Sequence, residues 1–190
     1  MKITLFDVNP SILESARHVG LGSICDLQCC DFRQLNADAI VSPANAFGFM
    51  DGGIDLAYSR FFGWGLQKRL QETIRADYEG ELLVGQAIVV STENEQFPYL
   101  VSAPAMRVPS STGPDNPAVF LAVRAAIRSA MKYKDIDHIA IPGMGTGCGG
   151  CDHIIAMKSI REAILEALHG SEFPKDIGAA ISRQTGFACR

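Results

Sequence analysis

Short apolar runs and amphipathic stretches alternate along the chain. Residues 2–8 form a β-like run. Asn9-Pro10-Ser11 follows with a cap residue and a proline suited to the first helical position, which predicts a helix to about His18, stopped near Gly20 and Gly22. Residues 23–27 read as a second strand, and the largely apolar 38–42, closed by Pro43, as a strand buried on both faces. Helices are expected over 54–62 and from Trp64 to about Tyr78, the latter with Leu66, Leu70 and Ile74 at helical spacing. Trp64, Phe61 and Phe62 are expected to pack between these two helices. Strands at 85–91 and 99–103 and a polar surface loop at 109–117 come next. Asn116-Pro117 then opens a helix to about Lys132, with Val119, Val123, Ile127 and Ala130 along one stripe. A buried strand at 137–142, a glycine-rich loop at 144–151 and a long helix at 152–168 complete the pattern, while 171–190 shows no clear periodicity. Strands alternating with helices predict an α/β chain of three α/β/α layers around a mixed, mostly parallel sheet.

Composition narrows the function classes. The 190 residues fit one domain, residues 1–190, and a chain of this length can bury a sizeable core. With 17 Lys+Arg against 21 Asp+Glu, the formal net charge is -4 and no block of like charges stands out. That argues against holding nucleic acid by neutralising many phosphates. It leaves an anionic small ligand open, because backbone amides and helix N-termini bind phosphate without adding charge to the composition. Asp7 comes too early for a signal-peptide apolar region, and no apolar run approaches the roughly 18 residues of a membrane span. A soluble cytoplasmic protein without membrane contact is expected. The six cysteines, Cys25, Cys29, Cys30, Cys148, Cys151 and Cys189, are read as reduced thiols in such a chain.

Ligands of α/β sheets bind outside the carboxyl ends of strands. Two glycine-rich loops fall at such ends. The first, residues 43–55, carries Asn45, which offers donor and acceptor to a sugar hydroxyl. Gly52 and Gly53 there allow close backbone approach, and Asp55 can accept a proton or orient water. A tight turn in which Asp51 or Asp55 caps the helix is the alternative. The second, residues 142–152, has glycine at Gly143, Gly145, Gly147, Gly149 and Gly150, and ends at a helix start where amides can wrap a diphosphate. No Lys-Ser or Lys-Thr pair follows those glycines, so this is not a Walker A loop. Cys148-x-x-Cys151-x-His153 offers zinc-type ligands that Cys29-Cys30 could complete, but the absence of a second CxxC favours small packed thiols and no metal. Arg107 follows a strand end and either reaches a phosphate or pairs with a surface carboxylate; His18 and His138 read as surface or packing residues.

In this order and spacing, residues from about 22 to 168 resemble a divergent branch of the macrodomain family, the ADP-ribose-binding α/β/α modules. Asp38-Ala39-Ile40-Val41-Ser42-Pro43-Ala44-Asn45 is similar to the family's "DAIVNAAN" strand, and Gly52-Gly53-Ile54-Asp55 to its glycine run ending in Asp. Gly145-Thr146-Gly147 resembles the "STG" of its diphosphate loop. The resemblance implies that Asp31 accepts from the adenine amino group with the Phe32 amide nearby. It implies further that Asn45 contacts the distal ribose, that Gly52 and Gly53 close over it, and that Gly145, Thr146, Gly147, Cys148 and Gly149 hold the diphosphate. Asp55 then corresponds to the acid that positions water in hydrolytic members, with no cofactor. Ser42 replaces the first Asn of the family strand, Met50 and Asp51 interrupt the glycine run, and Gly149 stands where many members carry an aromatic, a surface that Phe47-Gly48-Phe49 can supply. The implied function is binding of ADP-ribose or a close derivative, with hydrolysis at the distal ribose or on ADP-ribose-1''-phosphate. A non-catalytic reader of the same ligand is the alternative.

Overall fold

A computed structural model describes residues 1–110, 116–147 and 149–185 of the chain. Six strands form one sheet: β1 (Lys2–Asp7), β2 (Asp26–Cys29), β3 (Ala39–Ser42), β4 (Ile88–Ser91), β5 (Tyr99–Ser102) and β6 (His138–Pro142). Their order is β2-β1-β6-β3-β5-β4, with β4 antiparallel to β5 and every other pairing parallel. The helices are α1 (Pro10–His18), α2 (Gly53–Phe62), α3 (Gly65–Asp77), α4 (Ala118–Ala130), α5 (His153–His169) and α6 (Ile177–Thr185).

Alternation along the central strands divides the core into two layers. Ala39 and Val41 of β3 and Ile139 and Ile141 of β6 point to the side covered by α1, α4 and α5. Ile40 and Ala140 point to the opposite side, beneath α2 and α3. Because both faces are covered, β3 is buried at every position, as its run of apolar residues requires. An aromatic group anchors the second layer: the Phe32 ring meets Tyr58 at 5.0 Å and Phe61 at 5.3 Å, both edge-on.

The structure revises four local expectations. The second strand begins at Asp26, because 21–23 closes into a 3-10 turn that buries Leu21. Strand β4 begins at Ile88, since Gly85 takes a left-handed φ of +94° that turns the chain. Trp64 is 53% exposed at the start of α3, so only Phe61 and Phe62 join the packing. The unassigned C-terminal stretch contains α6. Residues 111–115 of the predicted surface loop lie outside the described residues. Among the described residues no helix is long and apolar enough to cross a membrane.

Candidate functional site

The carboxyl ends of β1, β2, β3 and β6 and the loops they feed enclose a cavity of about 560 Å³. Loop one, between β3 and α2, is pinned from several sides. Asn45 Oδ1 accepts from the amides of Phe47 (3.1 Å) and Phe49 (3.2 Å), while Nδ2 donates to the Phe49 carbonyl (2.8 Å). Both acceptor sites are then occupied and one amide hydrogen remains for a ligand. The Met50 amide donates to Gln67 Oε1 (2.7 Å) and its carbonyl accepts from Ser59 Oγ (2.7 Å). Gly48 packs so closely on α3 that a Cβ there would lie 2.9 Å from Ile74 Cδ1.

Helix α2 turns a polar stripe inward, with Asp55, Tyr58 and Ser59 at helical spacing, all buried. Tyr58 donates to the Val41 carbonyl (3.2 Å), and Ser42 Oγ donates to Asp55 Oδ1 (2.6 Å). Asp55 thus hangs between the end of β3 and the cavity that it lines. Burial raises its pKa to about 7, partly offset by the Ser42 hydrogen bond. The first turn of α2 has no side-chain cap, so neither Asp51 nor Asp55 caps the helix.

Loop two, between β6 and α5, is closed by Gly150 N donating to Gly147 O (2.9 Å) and Cys151 N to Gly145 O (3.0 Å). Asp152 caps α5 by accepting from the amides of Ile154 and Ile155. Gly145 is required by the fold: its φ is +81°, and a Cβ would stand 2.5 Å from Val119 Cγ2. Gly52 and Gly147 are different. Neither has a left-handed φ, and a Cβ on either would meet nothing within 4 Å. Both line the cavity from opposite loops, so the space that a side chain would take belongs to whatever enters. Gly53, Thr146 and Gly149 share this lining, while Cys148 lies outside the described residues.

At the β2 end, Asp31 caps a 3-10 turn and is gripped by Arg33, whose Nε and Nη2 each donate at 2.8 Å. These hydrogen bonds hold its carboxyl down at about 2. Phe32 lines the cavity beside it. The structure therefore brings Asp31, Phe32, Asn45, Gly52, Gly53, Asp55, Gly145, Thr146, Gly147 and Gly149 to one cavity. Phe49 joins them, half exposed, whereas Phe47 stacks under Arg107, 5.2 Å from ring centroid to guanidinium. Arg107 is locked to Glu81 at 2.6 and 3.1 Å, the surface-carboxylate alternative.

Sequence reasoning missed the contribution of β1. Asp7, the last residue of β1, and Asn9 just after it line the cavity wall, and Asp7 fills the place of a side chain at Gly143, where a Cβ would lie 2.5 Å from Asp7 Oδ2. Burial raises the Asp7 pKa, against opposing hydrogen bonds from backbone amides and the nearby His153. The signal was present in Phe6-Asp7-Val8-Asn9-Pro10, a strand end followed by a helix start, the same grammar that identified the other loops. Among the described residues no group of three His, Cys, Asp or Glu is gathered to hold a metal ion.

Known proteins match this chain in sequence and in fold. The Macro domain family model matches residues 41–160. An uncharacterised protein of Aquifex aeolicus is 31% identical over 134 residues, covering 69% of this chain and 74% of that one. A second, from Aeropyrum pernix, is 31% identical over 137 residues, covering 72% and 67%. Among solved structures, a mutant of the Oceanobacillus iheyensis macrodomain with ADPR superposes with a TM-score of 0.63 at 21% identity, over 75% of this chain and 77% of that one. The macrodomain of Mycobacterium tuberculosis DarG gives 0.59 at 20% identity, over 73% and 86%. These two likenesses are of fold.

Proposed function

The chain belongs to the Macro domain family, and on that premise we propose that its cavity binds ADP-ribose and that Asp55 drives hydrolysis at the distal ribose. The observation carrying the binding proposal is the pair of bare walls at Gly52 and Gly147, glycines that neither backbone nor packing demands. A cavity of about 560 Å³ suits a ligand of this size, within the roughly 300–1,000 Å³ of small-molecule sites. The Oceanobacillus relative has been solved with ADPR and with ADP. In the proposed pose the adenosine end lies toward Asp31 and Phe32, the loop-two amides face the diphosphate, and the distal ribose reaches Asn45 and Asp55.

Chemistry at the ribose follows from Asp55. A carboxyl with a pKa near 7 exchanges protons readily at neutral pH. Ionised, it takes a proton from water as the water oxygen bonds to the anomeric carbon, and the leaving group departs with the electrons of the broken bond. Ser42 fixes the carboxyl, and the loops hold the substrate, so positioning carries most of the rate. A reader without turnover is favoured by one observation: Asn45 is largely engaged within its own loop.

Calorimetric titration with ADP-ribose, AMP and NAD tests the ligand, and failure to bind ADP-ribose at millimolar concentration sinks it. Turnover of an ADP-ribosylated peptide or of ADP-ribose-1''-phosphate tests the reaction. Asp55→Ala should abolish turnover while keeping ADP-ribose affinity; a wild-type protein that binds and never turns over is the reader.

A further inference from the structure

The charge inventory of the cavity is unbalanced. Asp7, Asp31, Asp51 and Asp55 all line it, and no lysine or arginine does among its described residues. The two arginines nearest by sequence to its walls, Arg33 and Arg107, are each paired at short range with a carboxylate, Asp31 and Glu81. A diphosphate carries two negative charges, and amide dipoles alone would have to hold it against this acidic lining. One lining side chain brings a ring N–H donor instead of a carboxylate. His153 is the first residue of α5, separated from the loop-two glycines by Cys151 and Asp152, half-buried and lining the cavity. Its imidazole lies close enough to Asp7 to favour the ionised carboxylate there. Asp7, at the end of β1, lines the same cavity and accepts from the Asn9 amide at 2.8 Å.

We propose that His153 is the side chain that meets the ligand's phosphates, donating to a phosphate oxygen at the junction of loop two and α5. This rests on the ADP-ribose reading above. In the loaded cavity the phosphate takes one ring N–H, and the acidic lining is offset where the ligand is most negative. His153 is thereby a binding determinant contributed by the helix, beyond the glycine amides that precede it.

The test is titration of wild type, His153→Gln and His153→Lys with ADP-ribose at one fixed pH. Thermal unfolding of each variant runs beside it. His153→Gln should bind ADP-ribose roughly five- to twentyfold more weakly at an unchanged unfolding midpoint, and His153→Lys should recover most of that loss. Affinity of His153→Gln within about twofold of wild type, or a lysine variant as weak as the glutamine one, overturns the inference alone. A wild-type protein that binds no ADP-ribose overturns the parent reading and this inference together.

Discussion

At Asp55, stability and chemistry respond to pH in opposite senses. Its folded pKa is raised from 3.8 to about 7 by burial. Below the lower value both folded and unfolded chains hold the proton and the group costs nothing. Between the two values the unfolded chain releases its proton while the folded chain keeps it, so stability falls as pH rises and the loss is complete above about 7. At about 1.36 kcal/mol per pKa unit, the ceiling on that loss is about 4 kcal/mol. Asp55→Asn keeps an acceptor for Ser42 and has nothing to ionise. Urea unfolding should show the variant gaining on wild type by up to about 4 kcal/mol between about pH 4 and pH 8. A gap independent of pH would falsify the buried-carboxyl assignment. Turnover should instead rise with pH through an apparent pKa near 7, since the base must be ionised to accept a proton. The glycines give a second contrast of single residues. Gly145→Ala meets both a left-handed φ and Val119 and should lose roughly 2–4 kcal/mol of unfolding free energy. Gly52→Ala should unfold within about 0.5–1 kcal/mol of wild type yet bind ADP-ribose at least about tenfold more weakly. Equal stability of the two variants would remove the distinction between a glycine that the fold needs and one that the ligand needs.

Elements whose apolar residues face the core were readable in sequence, and α6 shows why the rest were not. The stripe Leu66, Leu70, Ile74 of α3 is fully buried, and Asn9 caps α1 as its position suggests, while Asp152, read as the first residue of the last helix, caps α5. In α6 the apolar residues point outward, Ile177 at 76% and Ile181 at 57% exposure, so hydrophobic periodicity carries no sign of where it docks. Charge holds it instead. Glu166 of α5, nearly buried, accepts from Arg183 of α6 at 2.8 Å and from Arg124 of α4 at 2.6 Å. One carboxylate thus ties three helices, a long-range arrangement invisible to local pattern. The loops followed the same division. Loop one and loop two announced themselves by glycine, whereas Asp7 and Asn9 carried only the weaker signal of a strand end before a helix start, which the place of β1 between β2 and β6 turns into a cavity wall. Glu166→Ala should lower stability by about 1–3 kcal/mol and open the 170–176 connection to limited proteolysis before global unfolding. ADP-ribose affinity should stay unchanged, because α6 does not line the cavity. Loss of affinity with intact α6 protection would mean that the two ends of α5 are coupled.

For the whole molecule, net charge and cavity lining have the same sign, and this fixes how salt acts on binding. A groove lined with lysine and arginine loses affinity for phosphates as salt rises, because counterions compete and the attraction is screened. This chain carries a formal net charge of -4, and four of the aspartates within that count, with no lysine or arginine, line the described cavity. The long-range field therefore repels a dianion, while attraction is confined to amides and one imidazole at contact distance. Salt screens the first over a Debye length of about 10 Å at 0.1 M and about 3 Å at 1 M, and reaches the second far less. Raising ionic strength from about 0.05 to 0.5 M should leave ADP-ribose affinity level or improve it by up to about threefold. The measurement is a titration series in sodium chloride at fixed pH. A fall of about tenfold or more across that range would mean that surface cations steer and hold the ligand, and the assignment of phosphate binding to the bare walls and amides of loops one and two would be wrong.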